Sequence, residues 1–340
     1  MVDEQRDHGE DKGTHNGEGD DTPSVQLSST EQKDEGPLRL WQKLNNHRGI
    51  LCILLCAFAY ALENVLFRAV ENDMHSTEVL FSTHLVKVLF LLPVITYKGH
   101  SLRPASKVTY IFLIGRGVIS MIAMNAMYFA LPYINVGDAT AIALSSPVFI
   151  GIFAKIFLKE AFGIIDALLT LVVVVGVFLI SKPSFIFGGS EEETISNLVG
   201  VAFASFSCIC NALANVLNRH LGLLHINSFV NVLFYVTVNF LGSGILTSIF
   251  GVWSVPPCGY ARIILVTMGI VGCTGNCLKA YAYSLEKSVF LGIFQTNEII
   301  FAYLLEFLLF NAIPDLIALL GVCLVVLASL MTLIKKRKEN

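Results

Sequence analysis

Charge is scarce in this 340-residue chain: Asp, Glu, Lys and Arg make up 14% of it, against 54% hydrophobic residues. A soluble surface cannot be assembled from that mixture, and a mean hydropathy of +0.68 points to lipid as the solvent. Signatures of soluble chemistry are also lacking. The sequence has no Walker-type Gly-rich loop, no His-Glu-x-x-His pair and no Gly-x-Ser-x-Gly turn, and intramembrane catalysis would need more than the isolated His84. An enzyme is therefore not expected, nor a cofactor. Seven of the eight cysteines lie in apolar runs and only Cys258 in a loop, so no disulfide framework can be drawn. Cys52/Cys56 and Cys273/Cys277 share helix faces at i,i+4, but no His or carboxylate joins them at ligand spacing, so no metal is expected. The first apolar run begins near Gly49, too late and too long for the core of a cleavable signal peptide.

What is present is a polar start followed by lipid-sized segments. Residues 1–36 hold 11 of the 26 acids and 3 of the 23 bases, and 1–47 as a whole reads as a disordered hydrophilic tail. Beyond it, continuous Leu/Ile/Val/Phe/Ala runs near 49–70, 76–97, 108–131, 136–158, 162–181, 197–219, 227–250, 260–284, 288–310 and 314–334 are each long enough to cross a bilayer as a helix. They lack the alternation of barrel strands.

Basic residues then set an orientation. Arg39, Lys43, Arg48, Lys98, Arg103, Lys107, Lys159, Arg219, Lys287, Lys335, Lys336, Arg337 and Lys338 fall on one side, and only Arg68, Lys182 and Arg262 on the other. Both termini are expected in the cytoplasm. The basic excess sits in short loops and at the end of the chain, not on a broad face, so no nucleic-acid partner is expected.

Sliding the chain against itself aligns Ala-Leu-Glu-Asn-Val-Leu-Phe-Arg at 61–68 with Ala-Leu-Ala-Asn-Val-Leu-Asn-Arg at 212–219, an offset of 151. The same offset pairs Gly49 with Gly200 and Asn125 with Asn276. It carries the first span onto the sixth and the fifth onto the tenth. Five is odd, so the second unit enters the membrane inverted, as in secondary transporters. The fold class read from sequence is thus an all-α polytopic membrane protein of ten transmembrane helices in two inverted five-helix repeats. The repeats are placed at 48–181 and 197–335, joined by a linker at 182–196 and followed by a basic tail at 336–340.

The segment from Asp138 through Ser145-Ser146-Pro147-Val148-Phe149 to Leu158-Lys159-Glu160 resembles the Ala-rich fourth helix, Pro-Val and terminal Lys-Glu of the drug/metabolite transporter superfamily, EamA type. Within it the chain is most similar to solute carrier family 35, subgroup G, whose relatives include nucleotide-sugar carriers. The resemblance implies ten helices in two halves and transport of a small metabolite. The second half departs from the pattern, with Glu298 where the first has Pro147 and Asn311 where it has Glu160.

An ionisable group at the bilayer centre costs about 2.5–3.5 kcal/mol on insertion scales and needs a partner or a water-filled cavity. Glu63, His84, Lys87, Arg116, Lys279, Glu298 and Glu306 are such groups. By the offset of 151, Lys87 falls on Val238, Arg116 on Thr267, Lys279 on Tyr128 and Glu298 on Pro147. A charge required by the fold would recur in both halves, so these four and His84 are candidates for substrate binding. Structural ion pairs, such as Lys279 with Glu298, are the alternative. Polar breaks at Ser145-Ser146 and Thr296-Asn297 occupy corresponding places in spans four and nine and join the substrate-binding set. Glu63, Asn64, Arg68, Asn215 and Arg219 read as gate or helix-end residues, because each duplicated Asn lies one turn from an arginine at a span end.

The expected function is a secondary transporter moving a small polar anion by alternating access through the bilayer. A membrane regulator of another transporter or ion pump is the alternative, and a homodimer or a membrane-protein partner stays open. Lys336-Arg337-Lys338-Glu339-Asn340 is similar to a dilysine retrieval signal, which favours the endoplasmic reticulum, with the plasma membrane as the other location.

Overall fold

Once a chain leaves water, each backbone N–H and C=O must find a partner inside its own segment, and the helix is how a single continuous segment does so. The computed structural model describes residues 48–70, 74, 76–99, 106–134, 136–181, 194–250, 253, 259–310 and 316–339. The tail expected at 1–47 and most of the linker expected at 182–196 lie outside them.

The described residues form twelve helices: α1 Arg48–Val70, α2 Ser76–Tyr97, α3 Lys107–Ala130, α4 Val136–Leu144, α5 Ser146–Phe157, α6 Ile164–Ser181, α7 Thr194–Leu223, α8 Ser228–Phe250, α9 Tyr260–Leu285, α10 Ser288–Gln295, α11 Glu298–Phe310 and α12 Leu316–Glu339. They make ten segments long and apolar enough to cross a membrane, with α4/α5 and α10/α11 as the two halves of spans four and nine. Leu89, Ile111, Leu168, Leu241, Ile263 and Leu319 point outward, as lipid contact requires.

Two boundaries differ from the sequence reading. The sixth span starts at Thr194, so 194–196 of the expected linker are helical, and α12 runs to Glu339, so 336–339 of the expected tail extend the last helix. Hydropathy marks the lipid-covered part of a helix, whereas backbone hydrogen bonding propagates past it. At the C-terminal end, Lys, Arg and Glu are good helix formers and cations there complement the helix dipole.

Spans four and nine break for different chemical reasons. Pro147 opens α5, where a missing N–H costs nothing, and the Ser145 hydroxyl donates to the Ala141 carbonyl at 2.8 Å. Span nine has no proline at its break. There Thr296 Oγ1 donates to Ile293 O at 2.7 Å and Asn297 Nδ2 to Phe294 O at 2.9 Å, competing with the helical ladder. Asn297 also donates to Ser329 Oγ of α12 at 3.0 Å, which pins the joint.

Helix pairing follows the repeat. α3 packs on α7 and α1 on α9, α6 on α12, and α2 on α8, and each set maps onto itself when the halves are exchanged. At the α6–α12 crossing a Cβ on Gly321 would stand 2.5 Å from the Gly176 carbonyl oxygen, so the backbones approach closely without side chains between them. Exchange symmetry fails at one end of the bundle. α7 packs on α9 and α10 on α5, while the exchanged pairs, α1 with α3 and α4 with α11, make no comparable contact among the described residues. That gap is the mouth of a cavity.

Candidate functional site

A cavity of about 450 Å³ runs from the middle of the bundle toward the end where Phe67, Val79 and Leu131 lie. It is the right size for a small metabolite. Glu63, Arg116 and Lys279 are the ionisable groups of opposite sign in its wall, beside Tyr60, Tyr235 and Asn276. Their partners decide what the cavity can hold.

Glu63 of α1 is engaged: Lys87 Nζ of α2 lies 2.6 Å from its Oε1. Glu63 fits only because α9 offers no side chain there, since a Cβ on Gly272 would stand 2.4 Å from Glu63 Oε2. Lys87 is buried behind the wall and does not line the cavity.

Arg116, 4% exposed, is held by an amide and not by a carboxylate. Its Nη1 donates to Asn231 Oδ1 at 2.6 Å and to the Asn231 carbonyl at 3.3 Å, and its guanidinium carbon stands 4.8 Å from the centre of the Tyr235 ring. Gly117, next to it, lets α8 come close, because a Cβ there would meet Val238 at 2.9 Å. Lys279, 8% exposed, has its ammonium 5.7 Å from the centre of the Tyr60 ring. Tyr60 in turn donates to Asn276 Oδ1 at 2.9 Å. Neither cation has an ion pair among the described residues, and the Lys279–Glu298 pair considered from sequence is not formed. A cation over an aromatic face keeps its N–H groups available for a ligand.

Glu298, at the start of α11, accepts from Asn64 Nδ2 at 2.9 Å; Asn64 and Asn215 both line the cavity, but Glu298 does not. His84 is buried, with its Nδ1 against the Leu80 carbonyl at 2.7 Å, one turn back on its own helix. Ser145, Ser146, Thr296 and Asn297 lie at the two joints outside the cavity wall. Arg68 is exposed at the open end of α1. The side chain of Glu306 lies outside the described residues.

Arg219 closes the other end. Its Nε donates to Glu160 Oε1 at 2.9 Å and its Nη1 to the Tyr283 carbonyl at 2.9 Å, while Glu160 Oε2 accepts the Ser288 N–H at 2.8 Å. One carboxylate thus ties α7, from the second half, and the first turn of α10 to the residues that follow α5. Lys335 pairs with Asp166 and Lys336 with Glu286 at the same end. α10 is buried along Ser288–Phe294 within this ring of charges.

Asn231, Asn276, Tyr60 and Tyr235 were not singled out from sequence. Asn276 carried a usable signal, since the offset of 151 pairs it with Asn125. Asn231 carried none, because its counterpart is Leu80 and its role depends on a contact 115 residues away.

Comparison with known proteins agrees with this architecture. Residues 47–182 match the EamA-like transporter family. The chain is 32% identical over 292 residues to human solute carrier family 35 member G1, covering 85% of this chain and 79% of that protein. It is 26% identical over 283 residues to the pseudopaline exporter CntI of Pseudomonas aeruginosa strain UCBPP-PA14, covering 82% of this chain and 94% of the exporter. A crystallographically solved chain shares the fold with a TM-score of 0.71 at 16% identity, over 87% of this chain and 99% of its own.

Proposed function

Because the chain belongs to the EamA-like transporters, within solute carrier family 35 subgroup G, we propose that it is a secondary transporter that carries a small polar anion across the membrane by alternating access. One observation carries the choice of anion. Among the described residues, Arg116 and Lys279 face the same cavity with no carboxylate paired to either, while Glu63, the carboxylate in the wall, is taken by Lys87. A buried cation costs free energy until an opposite charge reaches it, so this wall favours an anion over a neutral or cationic solute.

The halves supply the motion. Cavity-wall residues Phe67, Leu80, Ala139, Thr140 and Ala143 map through the repeat onto Asn218, Asn231, Phe290, Leu291 and Phe294, all buried at the closed end. Exchanging the roles of the halves would bury the first set and uncover the second, with Arg116 and Lys279 near the level where the two paths meet. Breaking the Arg219–Glu160–Ser288 clamp would precede that exchange. By the distribution of basic residues, the clamped end and both termini face the cytoplasm.

Liposomes containing the purified protein alone test the reading. Uptake of radiolabelled inorganic phosphate, lactate or succinate above that of empty liposomes, with labelled choline excluded, is the expected result. A protein that moves none of the anions, or moves choline equally well, would reject it and leave the regulator.

A further inference from the structure

Behind Arg116 stand two asparagines that do not line the cavity: Asn231, 3% exposed, and Asn218, fully buried. Resting on the anion reading above, we infer that Asn231 is a positioning residue that aims the Arg116 guanidinium into the cavity while leaving its charge for the substrate.

The bonding leaves no freedom in this arrangement. Arg116 only donates, so the atom 2.6 Å from its Nη1 must be the Asn231 oxygen, which orients that amide. Asn231 Nδ2 then faces Asn218 and donates to its Oδ1 at 2.8 Å, which orients the second amide. Asn218 Nδ2 is left, buried and with no hydrogen-bond partner. A buried donor without an acceptor is uncommon and asks for a reason.

A carboxylate at 231 would change what Arg116 and Asn218 face. Its two oxygens would accept from Arg116 and, after a flip of the Asn218 amide, from Asn218 Nδ2, leaving the Asn218 oxygen in the unpaired place. Arg116 would gain a full ion pair in a low-dielectric setting. The chain instead has the isosteric amide, which fixes direction without cancelling charge. Tyr235 supports the guanidinium in the same way, by its ring face and without formal charge. The positions related to these two by the repeat carry no copy of this device. The offset of 151 places Thr267 at the position of Arg116 and Leu80 at that of Asn231, and Thr267 spends its hydroxyl on the Ile263 carbonyl of its own helix at 2.8 Å. While the present cavity is open, Asn231 therefore serves one arginine, and through it one ligand contact.

The test is Asn231→Asp, with Asn231→Leu as its companion, both as full-length protein in liposomes using labelled succinate, lactate and phosphate. Expected for Asn231→Asp is a KM at least tenfold higher for whichever anion the parent carries, a kcat within about threefold, and a thermal unfolding temperature in detergent equal to or above that of the parent. Asn231→Leu should raise KM less and lower the unfolding temperature, because it removes the aim without supplying a counter-charge. A KM for Asn231→Asp within twofold of the parent overturns the inference while the anion reading stands. Loss of affinity matched by an equal loss of folded protein in both variants also overturns it, by making Asn231 merely structural. If the parent carries none of the three anions, the anion reading itself fails, and this inference with it.

Discussion

The Lys87 ammonium reaches from α2 to the Glu63 carboxylate of α1, 2.6 Å away, a contact of a kind that Arg116 and Lys279 lack among the described residues. Lys87 is buried and Glu63 half-buried in the cavity wall, so removing the carboxylate leaves an uncompensated buried charge, at a cost of up to about 3–5 kcal/mol. Glu63→Gln and Lys87→Met are each expected to lose most of their folded protein, and the double variant to recover a large part of it. Fluorescence-detected size exclusion measures this directly. Lys279→Gln should behave oppositely, with unchanged yield and thermal unfolding but an anion KM raised about tenfold or more, since a hydrogen bond to a charged group is worth roughly 1.5–3 kcal/mol. Loss of folded Lys279→Gln would make that lysine structural too.

The contrast between these lysines also shows where reading the sequence stops. Ten spans were legible because lipid demands long apolar helices, and the offset of 151 was legible because Asn64/Arg68 and Asn215/Arg219 repeat in segments that match at six of eight positions. The asymmetry of Lys87, Arg116 and Lys279 was equally visible. What decided among them was not, because the rotation of α2 against α1 and the gap at Gly272 follow from packing of residues far apart in the chain. His84 and Lys87 share a face at i,i+3, yet one turns to its own backbone and the other to a neighbouring helix. The pairing of Glu160 with Arg219 needed the fold as well, although both residues stood out as helix-end groups.

That pairing yields a second expectation. Glu160→Gln removes the negative charge and leaves one acceptor oxygen where Arg219 and the Ser288 N–H now use two, so the closed end should open more often. A cysteine placed at Leu291, fully buried in α10, reports it. In Glu160→Gln its labelling by an impermeant thiol reagent from the clamped side should be at least tenfold faster than in the parent, which requires only about 1.4 kcal/mol of the pair's contribution. Equal rates would show that the clamp does not hold this end shut.

Gly272 offers a steric test of the Glu63–Lys87 pair. A Cβ there would stand 2.4 Å from Glu63 Oε2, so Gly272→Ala must push the carboxylate away from Lys87. A loss of about 1–3 kcal/mol in stability is expected, typical of overpacking. Gly115→Ala is the control, because nothing lies within 4 Å of the added carbon. It should be neutral or slightly stabilising, in line with the better helix propensity of alanine. Equal unfolding temperatures for the two variants would mean that α9 shifts freely and that Gly272 does not set the position of Glu63.

Glu298 bears on coupling. It begins α11 at a joint where the first half has Pro147, accepts from Asn64 of the cavity wall at 2.9 Å, and has no ion pair among the described residues. A carboxylate held by an amide can bind and release a proton without breaking a salt bridge, and its hydration must change when the wall beside it moves. If it carries a coupling proton, its neutral form accompanies one crossing and its charged form exists only while the cavity is open to water. Glu298→Gln would then lock the neutral form. Anion exchange between preloaded vesicles should continue within about twofold of the parent, because exchange never requires the proton to leave, while acceleration of net uptake by an imposed pH gradient should disappear. Both fluxes can be measured on one liposome preparation. Undiminished gradient-driven uptake by Glu298→Gln would remove the carboxylate from coupling and leave it the task of orienting Asn64.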